Sequence, residues 1–369
     1  MTEHLSHRSS SLEPSSHQIS GRLFSLDLLK AMSMTAVVSF HSIIVPKTSY
    51  AASQLSIDLL FSPLRFCVPV FLTISFLLFE RGLAKHTGSN WSAIQKRLMR
   101  LLIPTLFWFS ITALLKFLNG NSWFEVIGMI LTGEIFTGAY YLIVLLQFLP
   151  VFILLRRLFI KLPNVVLTIL LQGFIFLYIY AIPSSPYHDQ ILLVLRTIDR
   201  PLFMYWFVYM ALGVFLWEHW SLIVKISQQI NIRLKIILFL SYCLIQMFEF
   251  YWFFRRFRGE IPPFDYVMFS CLLSVFIMVL CFASIQENQF PSFFRRIVST
   301  ISKYSLGIFC INGVLSQILI SIGIRLFSEA TFSLPEILIL KLIVWILLLG
   351  TSLGLSILLD RIGLGSVVR

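Results

Sequence analysis

Charge is scarce in this chain. Only 12% of its 369 residues are charged, and acidic residues are the rarer kind, 17 against 29 basic. A soluble domain carries about 25% charged residues. So low a share excludes an ordinary water-soluble protein, and a hydrophobic content of 58% places the chain in a bilayer. Also missing are a Gly-rich phosphate loop, a Ser-His-Asp order and any His, Cys, Asp or Glu cluster at metal-ligand spacing, so no metal is expected. The five cysteines each sit within an apolar run and read as small buried hydrophobes. There is no solenoid repeat and no long linker, which leaves one membrane domain. The net charge of +12 does not call for nucleic acid, because cytoplasmic loops of membrane proteins are rich in Lys and Arg.

What is present is a series of apolar segments. Residues 1–20 are rich in Ser and His without apolar period and read as a disordered tail; His4, His7 and His17 belong to it. The tail does not resemble a signal peptide, because the first apolar run comes late and contains Lys30. Ten segments follow, each long enough to cross or nearly cross a bilayer as a helix: roughly 28–45, 57–79, 99–118, 138–155, 164–182, 200–217, 234–252, 266–285, 304–322 and 337–358. The expected fold is therefore an all-α polytopic bundle of about ten transmembrane helices. Its domain runs over 21–362, with 363–369 as a short C-terminal tail. The stretch Trp123–Thr132 is too short to span and is expected at the interface. With the N-terminus cytoplasmic, the inner loops hold 17 Lys and Arg and the outer loops 7. That bias predicts both termini inside. The outer Arg255-Arg256-Phe257-Arg258 cluster reads either as headgroup snorkelling or as a contact for an anionic acceptor.

The first segment organises the rest. Lys30 and His41 lie 11 positions apart. On an α-helix that is three turns plus about 20°, so both side chains share one face, roughly 16 Å apart along the axis. An ionisable residue inside a transmembrane segment is a functional candidate, because lipid makes it expensive. His41 reads either as a structural histidine bonded across helices or as a general base; low dielectric favours its neutral imidazole. Arg97 and Arg100 are spaced i, i+3 and share a face of the third segment at its cytoplasmic mouth. Such a pair suits a polyphosphate, since each guanidinium offers forked donors, and serves equally as a topology anchor. Arg65, ahead of Pro69, is placed in the same cavity. Lys116 and Lys341 read as snorkelling residues, and Glu249 as half of an ion pair with Arg255 or Arg256. Tyr140, Tyr141, Trp206, Trp217, Trp220 and Trp252 fit an interfacial belt, with stacking on a sugar ring as the alternative.

These motifs, in this order, resemble the integral-membrane acyltransferase type 3 family, mostly bacterial O-acyltransferases of cell-surface glycans. The family's first helix carries Leu-Asp, then Arg or Lys, ten residues, and His; here Leu26-Asp27, Lys30 and His41. Its third helix opens with Arg-x-x-Arg followed by Pro; here Arg97, Arg100 and Pro104. Val68–Phe71 and Ile74–Leu78 are similar to its second helix. Arg200–Gly213 is similar to its Arg, Phe, Tyr and Gly pattern, and Tyr304–Phe309 to its late Tyr-Ser-x-Gly-Ile-Tyr signature. Three positions depart: Lys30 replaces the commoner Arg, Phe76 stands where Gly is usual, and Asn312 stands where many members have a second His. The likeness covers nearly all the chain after the tail.

The resemblance implies an acyl-CoA donor, acetyl-CoA above all, entering from the cytoplasm, and no permanently bound cofactor. Lys30, Arg97 and Arg100 are expected to hold donor phosphates. His41 is expected as general base, and Asp27 in the catalytic group, favouring the helix dipole or orienting Lys30. Arg65, Tyr140, Arg200, Ser305 and Asn312 are expected along the cavity or acceptor path. The acceptor implied is a hydroxyl of a cell-surface or lipid-linked glycan, and the location a bacterial inner membrane. Some relatives are assigned to polysaccharide export, so a transporter is the rival class, although no inverted repeat of broken helices stands out. A membrane scaffold with vestigial motifs is the third.

Overall fold

A computed structural model describes residues 23–85, 90–198, 202–257 and 266–369. The tail 1–20, Arg200 and Arg258 therefore lie outside the described residues. In chain order the helices are α1 (Phe24–Phe40), α2 (Gln54–Phe61), α3 (Cys67–Ala84), α4 (Asn90–Leu118) and α5 (Trp123–Leu131). Then come α6 (Tyr140–Leu155), α7 (Leu162–Ala181), α8 (His188–Ile198), α9 (Phe207–Glu218) and α10 (Trp220–Gln229). The last five are α11 (Ile232–Arg256), α12 (Phe269–Phe282), α13 (Ser292–Lys303), α14 (Ser305–Phe327) and α15 (Leu334–Arg361). No strand occurs among the described residues.

Among the described residues, seven helical spans are long and apolar enough to cross a membrane, and eight if α9 and α10, bent by 83° at His219, count as one. Each of the ten expected segments corresponds to helix. The shortfall lies in the innermost ones: α1, α9 and α12 have 17, 12 and 14 residues, or about 26, 18 and 21 Å at 1.5 Å per residue. These short helices surround α3 at the centre, where Leu29, Met34, Val70, Leu72, Met210 and Met278 have no exposed surface. The longer α4, α7, α11 and α15 leave many Leu, Ile and Phe side chains exposed, as a lipid-facing ring would.

Two boundaries differ from the sequence expectation, and each has a local cause. α1 stops at Phe40 instead of near 45, so His41 is its C-cap, with its backbone N–H on the Val38 carbonyl and the next N–H, of Ser42, on that of Ser39. Pro46 pushes the preceding residue out of helical geometry, and the chain restarts only at Lys47. The segment expected over 57–79 is α2, a 3₁₀ turn at Ser62–Phe66 led by Pro63, and α3. Pro69 therefore falls in the first turn of α3, where a missing N–H costs nothing, and makes no mid-helix kink.

Candidate functional site

Three elements converge on His41. α14 brings Asn312, whose side-chain amide lies 2.6 Å from His41 Nδ1. The same helix brings Phe309. The loop between α5 and α6 brings Gly138, at φ +89°, where a Cβ would stand 3.1 Å from the Phe309 ring and 3.7 Å from His41 Cε1. Glycine is required there both by the left-handed backbone and by the close approach.

The Asn312 amide is informative. With Nδ2 toward the imidazole, Asn312 Oδ1 is buried without a hydrogen-bond partner, which costs about 1–3 kcal/mol. The two ends of a side-chain amide are nearly isosteric. With the amide turned by half a turn, Oδ1 accepts from His41 Nδ1–H, and the neutral imidazole then carries its lone pair on Nε2.

The basic end lies across the protein. Arg97 and Arg100 line one recess of about 200 Å³ with Leu78, Phe79 and Lys96. Arg97 reaches the Ser75 carbonyl at 3.5 Å and sits 5.6 Å over the Phe79 ring. From there a chain of side-chain contacts leads to the histidine. Ser75 Oγ is 3.3 Å from Tyr141 Oη, the Tyr141 and Phe309 rings are 5.4 Å apart, and Phe309 abuts Gly138 beside His41.

Lys30 and Asp27 stand together near the N-terminal end of α1, both tied to α13. Lys30 Nζ donates to the Ser302 carbonyl at 3.0 Å, and Ser302 Oγ donates to Asp27 at 2.5 Å. Arg81 lies within electrostatic reach of Asp27. Fourteen residues, about 21 Å of helix, separate Asp27 from His41, so Asp27 is grouped with Lys30 and not with the imidazole. Arg65 is buried, its guanidinium 5.4 Å from the Phe40 ring and 4.5 Å from Phe250. Tyr140 stacks on Trp206 at 5.9 Å; its neighbour Tyr141 is the one that turns toward the histidine. Ser305 opens α14 two turns below Asn312, beside the C-terminal residues.

Several side chains read as peripheral are internal. Tyr140, Tyr141, Trp206 and Trp220 are buried and not an interfacial belt, while Trp252 is exposed. Lys341 does not snorkel: it is 3% exposed. Its amine donates to the Ser39 carbonyl and, at 3.1 Å, to Ser42 Oγ, flanking His41. It also lies 4.3 Å over Phe61. One turn on, Trp345 Nε1 donates to the Thr35 carbonyl at 2.9 Å. The i, i+4 spacing of 341 and 345 thus matches that of Ser39 and Thr35, and α15 satisfies two carbonyls near the end of α1. Glu249 is not seen as half of an arginine pair; it caps α12, accepting from Phe269 and Ser270 N–H at 2.9 and 2.7 Å. Sequence reasoning missed Gly138, Ser75, Phe309 and the role of Lys341. The only signal was Gly133 and Gly138 bracketing a polar turn, which marks a loop but not its neighbour.

The structure is thus a helical bundle of a membrane protein with a basic recess at one end and a histidine held by Asn312 at the end of the first helix. Residues 23–361 match the acyltransferase domain of type 3, and the chain belongs to that family. No curated protein and no solved structure matches it.

Proposed function

We propose that this protein is an O-acyltransferase that moves an acyl group, acetyl first among candidates, from acyl-CoA to a hydroxyl of a cell-surface or lipid-linked glycan. In this reading the chain crosses a bacterial inner membrane ten times with both termini inside. The observation that carries it is the chain of packed side chains from the Arg97–Arg100 recess to the His41–Asn312 pair. Lys30 and His41, about 16 Å apart along α1, match the reach of a pantetheine arm.

Arg97, Arg100 and Lys30 hold the donor's phosphates at the cytoplasmic face. Asn312 Oδ1 orients His41 so that the neutral imidazole has its proton on Nδ1. Nε2 removes the proton from the acceptor hydroxyl as its oxygen attacks the thioester carbonyl. The carbon–sulfur bond breaks, and the imidazolium returns the proton to the departing thiolate. General-base catalysis of this kind contributes about 10²–10⁴-fold.

The test is release of free CoA from radiolabelled acetyl-CoA by purified protein, with and without a membrane glycan extract. Release that rises with extract is expected, with a loss of about 10²-fold or more in His41→Ala and a raised donor requirement in the Arg97→Ala, Arg100→Ala double variant. Full activity in His41→Ala would remove the base assignment. No turnover and no donor binding would favour polysaccharide export.

A further inference from the structure

A second recess of about 700 Å³ opens beside the first. It is lined by Arg100, Asp360, Gly365, Ser366 and Arg369. Arg100 therefore faces both recesses. The floor is built from residues 363–369, which read in sequence as a short tail. They fold back onto the bundle instead: Trp108 Nε1 donates to the Val367 carbonyl at 3.0 Å, and Gly307 N–H to the Val368 carbonyl at 3.1 Å. Val368 is fully buried. This anchoring fixes the 3₁₀ turn Gly365–Val367 against α4, α14 and α15.

The charges are arranged for an anion. Arg369 pairs with Asp360, which also accepts from Tyr304 and has Lys303 Nζ at 3.5 Å. Against one carboxylate stand Arg100, Arg369 and Lys303, an excess of two positive charges. The side chains of Arg369 and Lys303 are about half exposed, at 48% and 45%, so both can turn to a ligand without a large desolvation cost. A Cβ on Gly365 would lie 2.5 Å from Asp360 Oδ1 and 3.1 Å from the Arg369 guanidinium. The glycine is what lets the ion pair close over the turn.

We propose that this recess seats the 3′-phosphorylated adenosine end of the acyl-CoA donor, with Arg369 on the 3′-phosphate and Arg100 between that phosphate and the diphosphate held with Arg97. This rests on the acyl-CoA reading above. The two recesses meet at Arg100, as a ligand with two separated phosphate groups requires. The first is about 200 Å³ and the second about 700 Å³, so the second offers the larger seat for a nucleoside. Arg369 exchanges part of its contact with Asp360 for the phosphate, and Lys303 and Tyr304 keep the carboxylate satisfied.

The test uses the full chain in lipid nanodiscs and compares KM for acetyl-CoA with KM for 3′-dephospho-acetyl-CoA. One charge-assisted contact predicts about a tenfold higher KM for the dephospho donor in the wild type. In Arg369→Gln that ratio should fall to about one, while Arg369→Lys should keep most of it. Ser366 is exposed, so Ser366→Glu should fold normally and raise KM for the full donor more than for the dephospho donor. That variant stands in if Arg369→Gln does not fold. A wild-type ratio near one, or a ratio indifferent to both substitutions, overturns the proposal while leaving the transferase reading intact. So does an effect of Arg369→Gln that is equal for both donors and needs anionic lipid in the nanodisc, which would make the recess a headgroup seat. No CoA release from either donor by the wild type overturns both readings.

Discussion

At the residue scale the unexpected participant is Lys341. A lysine seven positions into α15 is long enough to snorkel from a lipid-facing site. It is turned inward because α15 packs on α1, where its amine joins Ser42 Oγ in donating to the Ser39 carbonyl. Lys341 touches no part of the proposed donor path, so a positioning role for His41 is the expectation. Lys341→Met should remove the amine's contacts with the Ser39 carbonyl and Ser42 Oγ and let the end of α1 drift. We expect kcat to fall tenfold or more, since a misplacement of about 1 Å can cost 10²-fold, while donor KM, set in the recess three turns away, stays within about twofold. A rise in KM with kcat preserved would contradict the positioning role. Asn312 belongs to the same scale. Its amide meets His41 Nδ1 and so sets which imidazole nitrogen carries the proton.

At the element scale the tightest seam is between α3 and α9. A Cβ on Gly213 would fall 2.6 Å from the Thr73 carbonyl and 2.7 Å from Phe76 Cβ. Phe76 is the residue that departs from the family's usual glycine, and Gly213 on the facing helix makes room for it. Phe76 then joins the rings of Phe148 and Phe152 at 5.5 and 5.6 Å, with Phe79 on Phe152 at 4.5 Å. Gly213→Ala should overpack this seam by about 1–3 kcal/mol, seen as a lower thermal transition in detergent. Adding Phe76→Ala should recover part of the loss, because the two positions touch and their effects are not additive. An unchanged transition in Gly213→Ala would mean the helices separate more easily than their packing suggests.

At the scale of the whole molecule, short buried helices sit inside longer exposed ones. A hydrocarbon core of about 30 Å exceeds the length of α1, α9 and α12, so the inner helices cannot carry polar groups across the full bilayer alone. The loop turn at Gly138 reaches His41, and residues 363–369 fold back onto α4. The proposed reaction, with its donor on the cytoplasmic side, requires a definite topology. Single cysteines at Asn119 and Ser185 should react with an impermeant thiol reagent on intact cells, and those at Gln228 and Asn288 only after permeabilisation. The reverse pattern would invert the protein and separate Arg97 from cytoplasmic CoA. The native cysteines interfere little, because four are buried and Cys243 is half-buried.

Much was legible in the sequence, and the reason is periodicity. Hydropathy along the chain places each apolar segment, because lipid forces every backbone group into helix. The 11-residue spacing of Lys30 and His41, and the i, i+3 spacing of Arg97 and Arg100, are local geometry that any helix carries. Membrane class, helical content, family and the pairing of Arg97 with Arg100 follow from those alone. The rest depends on contacts between residues far apart in the chain. Asn312 meets His41 across 271 positions, and Lys341 meets Ser39 across 302. No local pattern encodes such a meeting. The early stop of α1, the inward turn of Lys341, the capping role of Glu249 and the folding back of 363–369 were decided by which carbonyls and carboxylates needed partners once the helices had packed. Burial without water makes each unmatched group costly, and only the tertiary structure determines which groups are buried together.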